Sequence, residues 1–326
     1  MSTLLEVRDL QVEFQIGTRL GRLTGAGAPS RIAAVAGVDL DLEEGQTYAL
    51  VGESGSGKST LARAINGLVE AEPGSSIRFG GEQLVGLSHA GFQKHRRRMA
   101  MMFQDPIGSL SPRLSVRSLL TEPFKAHGLT DRDLNAECDR LLQMVGLPTA
   151  FADRYPHQLS GGQARRVGVA RALAVDPKLI IADEPTAGLD VSVQGEVLNL
   201  LDEFQQRLGL TILIITHNLH VVRHVSHRTA IMYLGRFVEE GPTEDIFSDP
   251  RHPYTKSLLS AAPKPDPDAR HNRVELKGEV PSLKNRPSGC EFHPRCPFAQ
   301  EDCKTIAPDY TVEPGGHRYT CLHPLA

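Results

Sequence analysis

An α/β fold is what this sequence of 326 residues predicts, and three observations predict it. First, the short β-like run Thr47–Val51 leads into GESGSGKST at 52–60, after which Leu61, Ile65 and Leu68 recur at helical spacing. Second, Leu179–Ala182 and Leu210–Ile215 are continuous apolar runs of strand length, the pattern of strands buried on both faces of a sheet, and both end on polar residues. Third, from about Ile107 to His157 the pattern turns helical.

The stretch 52–60 fits G-x-x-x-x-G-K-[ST]. In such a loop Gly52, Gly55 and Gly57 let backbone N–H groups curl around phosphates, Lys58 reaches the outer phosphates, and the Ser59 hydroxyl sits on magnesium. Ser54, Ser56 and Thr60 belong to the same cradle. Strand, glycine loop and helix are the context the motif requires. Taken alone it indicates a nucleoside triphosphate and no particular chemistry.

Composition narrows the classes. The length suits about two domains or subdomains. A formal charge of −3 and a pI near 6.5 argue against a general polyanion binder, so no nucleic-acid partner is expected. The opening MSTLLEVRDL carries Glu6, Arg8 and Asp9 where a signal peptide would be apolar, and no apolar stretch approaches the roughly 18 residues of a membrane span. The chain is therefore expected to be neither secreted nor membrane-spanning. Of five cysteines, four (Cys290, Cys296, Cys303, Cys321) fall near the C-terminus, which is unlike a disulfide framework and suits cytosolic thiols.

In chain order, residues 4–14 alternate as a half-buried strand, with a one-residue slip between Val7 and Leu10 that reads as a bulge, and Phe14 projects at its end. Gly17–Ser30 reads as a surface loop. Val35, Val38, Leu40 and Leu42 give a second β pattern, and Glu43–Gln46 turn into the strand before the glycine loop. Ile77–Phe79 is a short strand. The basic run His95–Arg98 reads as a solvated or phosphate-facing helix end, Met99–Phe103 as a buried strand, and Gln104 as a polar amide at that strand's end, where α/β sheets hold ligands. Thr130 with Asp133 resembles a capping box, and Leu134, Cys138, Leu141 and Val145 form an apolar stripe that makes Cys138 a buried structural thiol. LSGGQ at 159–163 opens a helix through Val167, Ala170 and Leu173; Ser160, Gly161, Gly162 and Gln163 at its start expose donors at the positive end of the helix dipole. Asp183 and Glu184 follow a buried strand, where adjacent acids are costly unless a cation or proton uses them. Asp183 suits magnesium and Glu184 suits the attacking water; His217, at the end of the next strand, suits phosphate contact.

The ordered set GESGSGKST, Gln104, LSGGQ, LIIADE, Asp190 and His217 closely resembles the nucleotide-binding subunit of ABC transporters over about residues 4–245. The resemblance implies a P-loop NTPase core with an N-terminal antiparallel β subdomain, an inserted helical subdomain at about 105–158 that meets the membrane partner, and ATP with magnesium as cofactors. It further implies that Phe14 stacks on adenine, Gln104 also contacts magnesium, Glu184 is the general base, His217 the switch histidine, Asp190 the D-loop acid, and Ser160 to Gln163 the signature. Lys58 and Asp183 then serve a nucleotide whose facing signature comes from another subunit. Three departures stand out: Ala187 opens the D-loop in place of serine, Asn218 follows the switch histidine in place of aspartate, and Ala164 follows the signature in place of a polar residue. None removes a phosphate, metal or water contact, so an active half-site is expected.

VGESGSGKSTLARAI, FQDPIGSLSPRLSV, ADEPTAGLDVSVQGEVLNLL and Arg251-His252-Pro253-Tyr254-Thr255 look like the oligopeptide/dipeptide importer ATPases, a type shared by nickel, glutathione and some oligosaccharide importers. That resemblance implies an ATPase at the cytoplasmic face of the cell membrane with a second ATPase subunit, two permeases and an external binding protein. ATPases of DNA repair or translation built on the same cassette usually add coiled coils, zinc insertions or a second cassette, and none is seen here. A regulatory module whose cysteine tail senses metal or redox state is a third reading.

Residues 246–326 form a small cysteine-bearing extension of the type such importers carry, and from 263 onward it is too polar for a large core of its own and calls for docking or a staple. The spacing Cys290-x5-Cys296-x6-Cys303-x17-Cys321 lacks paired C-x2-C knuckles; an iron-sulfur cluster of the [4Fe-4S] kind, zinc, and free thiols are the three alternatives. His293, His317 and His323 are further candidate ligands that are more often exposed.

Overall fold

The computed structural model describes residues 2–16, 30–103, 108–129, 131–188, 190–261, 276 and 278–325. Of the expected loop Gly17–Ser30, residues 17–29 fall outside these residues, as do Gln104 and Thr130, and Ser30 begins a strand instead. The strands and helices begin with β1 (Thr3–Ile16), β2 (Ser30–Glu43), β3 (Thr47–Val51), α1 (Lys58–Ile65), β4 (Ser76–Phe79), β5 (Glu82–Gln83), α2 (His89–Arg96) and β6 (Met99–Met102). They continue through α3 (Val116–Ala126), α4 (Leu134–Met144), α5 (Gly161–Leu173), β7 (Leu179–Asp183), α6 (Val191–Leu208), β8 (Thr211–Ile215) and α7 (Leu219–Val225). The last are β9 (Arg228–Tyr233), β10 (Arg236–Pro242), α8 (Thr243–Ser248), α9 (Pro253–Ala261), β11 (Thr311–Val312) and β12 (Arg318–Tyr319). The chain divides into two compact units, one of residues 1–4, 42–47 and 86–215, the other of residues 5–41, 48–85 and 216–326. No described helix is long and apolar enough to cross a membrane.

In the first unit β6, β7 and β8 are parallel neighbours, with Met99 opposite Leu179 and Asp183 opposite Ile215. Every residue of β7 and β8 is buried, which is why both read as unbroken apolar runs. Phe103, expected inside the buried strand, lies past the end of β6 and is 44% exposed. The basic run departs from expectation too: His95 is buried, turned inward by the last turn of α2 beside Phe92, while Arg97 faces solvent. Asp133 is itself the N-cap of α4, its carboxylate accepting the N–H groups of Asn135 (2.9 Å) and Ala136 (3.2 Å), so it is not the third residue of a box begun by Thr130. Cys138, Leu141 and Val145 are buried as the stripe predicted, whereas Leu134 is only half-buried; burial pushes the Cys138 thiol up to about 11 and leaves it inert.

In the second unit the sheet β2-β1-β4-β5 sets Leu5 opposite Phe79 and Val7 opposite Ile77 in antiparallel register. The slip in β1 sits at Asp9, whose φ of 42° lets Leu10 and Val12 take up the buried face that Leu5 and Val7 held before it. The strand that feeds the glycine loop, β3, runs parallel to β9; β10 pairs antiparallel with β9, β12 with β10, and β11 with β12. The C-terminal strands thus extend the sheet from which the glycine loop springs. Helix α1 stops at Ile65, with Gly67 at φ 65°, so Leu68 lies beyond the apolar stripe expected to include it and is exposed.

One buried ion pair ties the tail to this sheet. Glu239 on β10, fully buried, accepts the backbone N–H groups of Arg251 (2.6 Å) and His252 (3.0 Å) and faces Nε2 of His317 at 2.8 Å. His317 is buried, against the expectation of an exposed histidine. The hydrogen bond to Glu239 raises the His317 pKa above its ordinary value. A raised histidine stabilises the fold fully below the unfolded value of about 6.5 and ceases to do so as pH rises through the folded value. Thermal melts of the intact protein are expected to show stability falling on that alkaline side, and H317Q is expected to flatten the slope. His252 is distinguishable because burial lowers it to about 4, which places its contribution on the acid side of 6.5.

Candidate nucleotide site

The glycine loop lies in the second unit, and two of its glycines, Gly52 and Gly57, are there because backbone passes too close for side chains. A Cβ on Gly52 would stand 2.3 Å from the Met232 carbonyl oxygen, and one on Gly57, where φ is 106°, 2.3 Å from that of Ala34. Lys58, almost fully buried, begins α1; its Nζ donates to the carbonyls of Gly52 and Glu53, both at 2.8 Å, and to Ser56 Oγ at 3.3 Å. Those bonds draw the loop into a curl with an ammonium inside it. The N-cap of α1 is Gly57, which brings no side chain over the first turn, the arrangement by which helix N-termini accept anions. Ser54, Gly55, Ser59 and Thr60 complete the loop and first turn. Phe14, at the end of β1, is 42% exposed. His217 is exposed just after Thr216, whose N–H donates to the Leu50 carbonyl in β3 at 3.2 Å. The departure at Asn218 has a local explanation: its side chain caps α7 by accepting the N–H groups of His220 (3.1 Å) and Val221 (3.4 Å), a role aspartate fills equally well.

The first unit holds the acids and the signature. Asp183 closes β7 and is 1% exposed. Glu184, half-buried, has a left-handed backbone with φ of 51°, and its N–H donates to the Ile215 carbonyl at 2.8 Å. A non-glycine residue held there costs on the order of 1–2 kcal/mol. Ser160 and Gln163 form a reciprocal capping box: Ser160 Oγ accepts the Gln163 N–H at 3.3 Å and Gln163 Oε1 accepts the Ser160 N–H at 3.0 Å. Gly161 and Gly162 fill the first turn of α5, and a Cβ on Gly162 would come within 3.1 Å of Val193 Cγ1. Ala164 is buried, which accounts for an apolar residue at that position. Asp190 is exposed at the N-cap of α6 and makes no capping bond.

Sequence reasoning missed Arg165. It is nearly fully buried on α5, and its guanidinium donates through Nη1 to the Pro185 carbonyl and through Nη2 to that of Ala187 at 2.8 Å, which fastens the signature helix to the loop following Glu184. Its one sequence signal is an arginine at a buried position of an otherwise apolar helix face. A cavity of about 220 Å³ in the same unit, lined by Met101, exposed Phe103, Leu110, Pro123 and Arg171, also went unread.

The four C-terminal cysteines come together in the second unit. Cys290, Cys296, Cys303 and Cys321 line one small cavity of about 20 Å³ with His252, His293 and His323. All are free thiols, and the Cys290 N–H donates to the Cys303 carbonyl at 2.8 Å. Burial pushes Cys296 up to about 11 and Cys321 up to about 12, and also raises Cys290, so these thiols are neutral unless a cation compensates them. Cys303 also groups with Asp302 and His323, whose ligand atoms lie within 4.8 Å of one another; His323 Nε2 contacts both Asp302 oxygens, at 2.9 and 3.0 Å. His317 faces Glu239 and is not part of this cluster.

Comparison with known proteins bears directly on these two halves. The ABC transporter family profile matches residues 35–187, and that of the oligopeptide/dipeptide transporter C-terminal region matches 238–303. Among curated relatives, the oligopeptide transport ATP-binding protein OppF of Salmonella typhimurium is 45% identical over 94% of this chain and 92% of its own. AppF of Bacillus subtilis, with the same description, is 44% identical over 98% and 97%. Among solved structures, the dimeric ATP-binding cassette MJ0796 in a post-hydrolysis state bound to ADP and Pi is 27% identical with a TM-score of 0.64, covering 73% of this chain and 98% of that one. The chain belongs to the ABC transporter family, as an ATP-binding, ATP-hydrolysing subunit of a transporter that works with membrane permeases. Its similarity within that family is to the oligopeptide transport ATP-binding proteins.

Proposed function

We propose that this subunit powers uptake of di- or oligopeptides by a bacterial importer. The observation that carries the reading is the joining, in one chain, of a cassette with a C-terminal region matched to oligopeptide/dipeptide transporters at 238–303. In this reading the cassette is residues 1–245 with its helical subdomain at about 105–158, and 246–326 is the extension. The subunit sits at the cytoplasmic face of the cell membrane, pairs with a second ABC ATPase, and works with two permeases and an external binding protein. The cavity that exposed Phe103 lines together with Ser109, Leu110, Pro123 and His127 of the helical part supports that part as the permease-facing one.

The roles follow from residue chemistry. Backbone donors of 52–60 and the Lys58 ammonium hold the phosphates and compensate the charge that develops as phosphoryl transfer proceeds. Asp183, Ser59 and Gln104 take the magnesium roles that the resemblance gives them, and a carboxylate as enclosed as that of Asp183 gains from a cation beside it. Bound magnesium would neutralise phosphate charge. Glu184 orients the attacking water and takes its proton, His217 contacts the outer phosphate, and Phe14 stacks on adenine. Ser160 to Gln163 and Asp190 face the nucleotide held by the partner subunit. Co-purification from membranes, followed by ATPase assay with peptides and their binding protein, tests this: turnover stimulated by peptide supports it, and stimulation only by nickel, glutathione or an oligosaccharide overturns the peptide assignment.

Four thiols lining one cavity support a metal group in the extension, and burial, which raises the pKa of Cys290, Cys296 and Cys321, means that a cation must repay their deprotonation. We read it as a [4Fe-4S] cluster on Cys290, Cys296, Cys303 and Cys321, with zinc as the second reading because Asp302 and His323 stand beside Cys303. Anaerobically purified protein is expected to absorb near 400 nm and to contain about four irons per chain. Colourless protein carrying zinc alone decides for the second reading.

A further inference from the structure

Glu53 is the second residue of the glycine loop, and every polar group it owns is engaged by other residues of the same unit. Its carbonyl accepts Lys58 Nζ (2.8 Å) and the Ser56 N–H (3.2 Å), the bonds that curl the loop. Its N–H donates to Tyr254 Oη at 3.0 Å. Its carboxylate accepts two parallel bonds from Arg295, Nη1 to Oε2 at 2.6 Å and Nη2 to Oε1 at 3.0 Å. Arg295 is 5% exposed and arrives from the cysteine-bearing segment: its N–H donates to the Phe292 carbonyl, as does that of the next residue, Cys296. Phe292, Tyr233 and Tyr254 pack ring to ring at 4.9–5.3 Å, and the Arg295 guanidinium lies 5.9 Å from the Tyr233 ring centre. Side chains from α9 and the cysteine segment therefore converge on one loop residue, and Tyr233 of β9 packs against both.

An acidic side chain in a loop that wraps a triphosphate repels its ligand unless its charge is cancelled. A planar, bidentate guanidinium cancels it and fixes its direction. We propose that Arg295 is a positioning residue for ATP: by pairing Glu53 it neutralises and orients the glycine loop, so the cysteine-bearing extension forms part of the ATP site. The proposal rests on 52–60 being the ATP loop. Arg295 touches no reacting atom, so its removal acts on ATP affinity and KM and leaves kcat at saturation nearly unchanged.

Calorimetric titration of the full chain with ATP tests it. R295Q leaves the Glu53 charge uncompensated and is expected to weaken ATP binding about tenfold or more, E53Q to bind at least as tightly as wild type, and E53Q/R295Q to return to within about threefold of wild type. Rescue by a second neutralisation is what a purely structural arginine would not give. R295Q binding within twofold of wild type, or a double variant as weak as R295Q, overturns the proposal. If R295Q does not fold, R295K carries the test, since it keeps Glu53 compensated and loses only the fork: a KM for ATP within about threefold of wild type at unchanged kcat is expected, and a KM raised about tenfold or more overturns the proposal. K58A is the control, because wild type and K58A binding ATP alike would mean that the loop assignment has failed, a result separate from any on Arg295.

Discussion

ATP turnover by E184Q is expected to fall about a hundredfold or more while ATP binding stays near the wild-type level. Glutamine matches glutamate in size, and the backbone bond from residue 184 to the Ile215 carbonyl does not involve the side chain, so β7 and β8 should pack as before. What changes is the capacity to accept a proton. Phosphate release measured beside nucleotide binding separates the two, and near-normal release from the variant would remove Glu184 from the role of base.

G57A is expected to lose at least about 3 kcal/mol of stability together with most ATP binding. Two separate costs combine at this position. A φ of 106° is outside the ordinary range of an L side chain, and the added methyl would stand 2.3 Å from the Ala34 oxygen, which is backbone and yields little. Gly55 separates the costs: its φ is 80° but nothing lies within 4 Å of an added Cβ, so G55A bears the conformational penalty alone, about 1–2 kcal/mol. Urea unfolding of the two variants measures the difference. Equal losses would show that close approach is not what reserves position 57 for glycine.

The features legible in the sequence were those fixed by local chemistry. The apolar runs of β3, β7 and β8 are buried along their whole length, so period and composition announced them. The start of α5 at LSGGQ was readable from its serine and glycines, but the reciprocal capping of Ser160 and Gln163 was not read. What escaped depends on residues distant along the chain. His317 looked like one more histidine in a polar tail, and only its pairing with Glu239, 78 residues away, explains its burial. Arg165 and Arg295 had no motif to announce them, since each acts on carbonyls or a carboxylate brought near by folding. Leu68 and Phe103 misled for the opposite reason: apolar periodicity continued for one or more residues after the backbone had left its helix or strand.

The pairing of β12 with β10 also bears on how this protein can be handled. A sheet ends wherever its last strand has no neighbour, and an uncovered strand recruits other chains through its backbone. Here the final segment of the polypeptide supplies the covering ribbon, two residues in β12 and two in β11, too short to template further growth. Trimming the chain after the helical region that follows β10 would remove β11 and β12 and uncover that edge. A cassette cut free of its tail is therefore expected to self-associate in sedimentation at rising concentration, and aggregation of such a fragment would say nothing about the folding of the intact subunit.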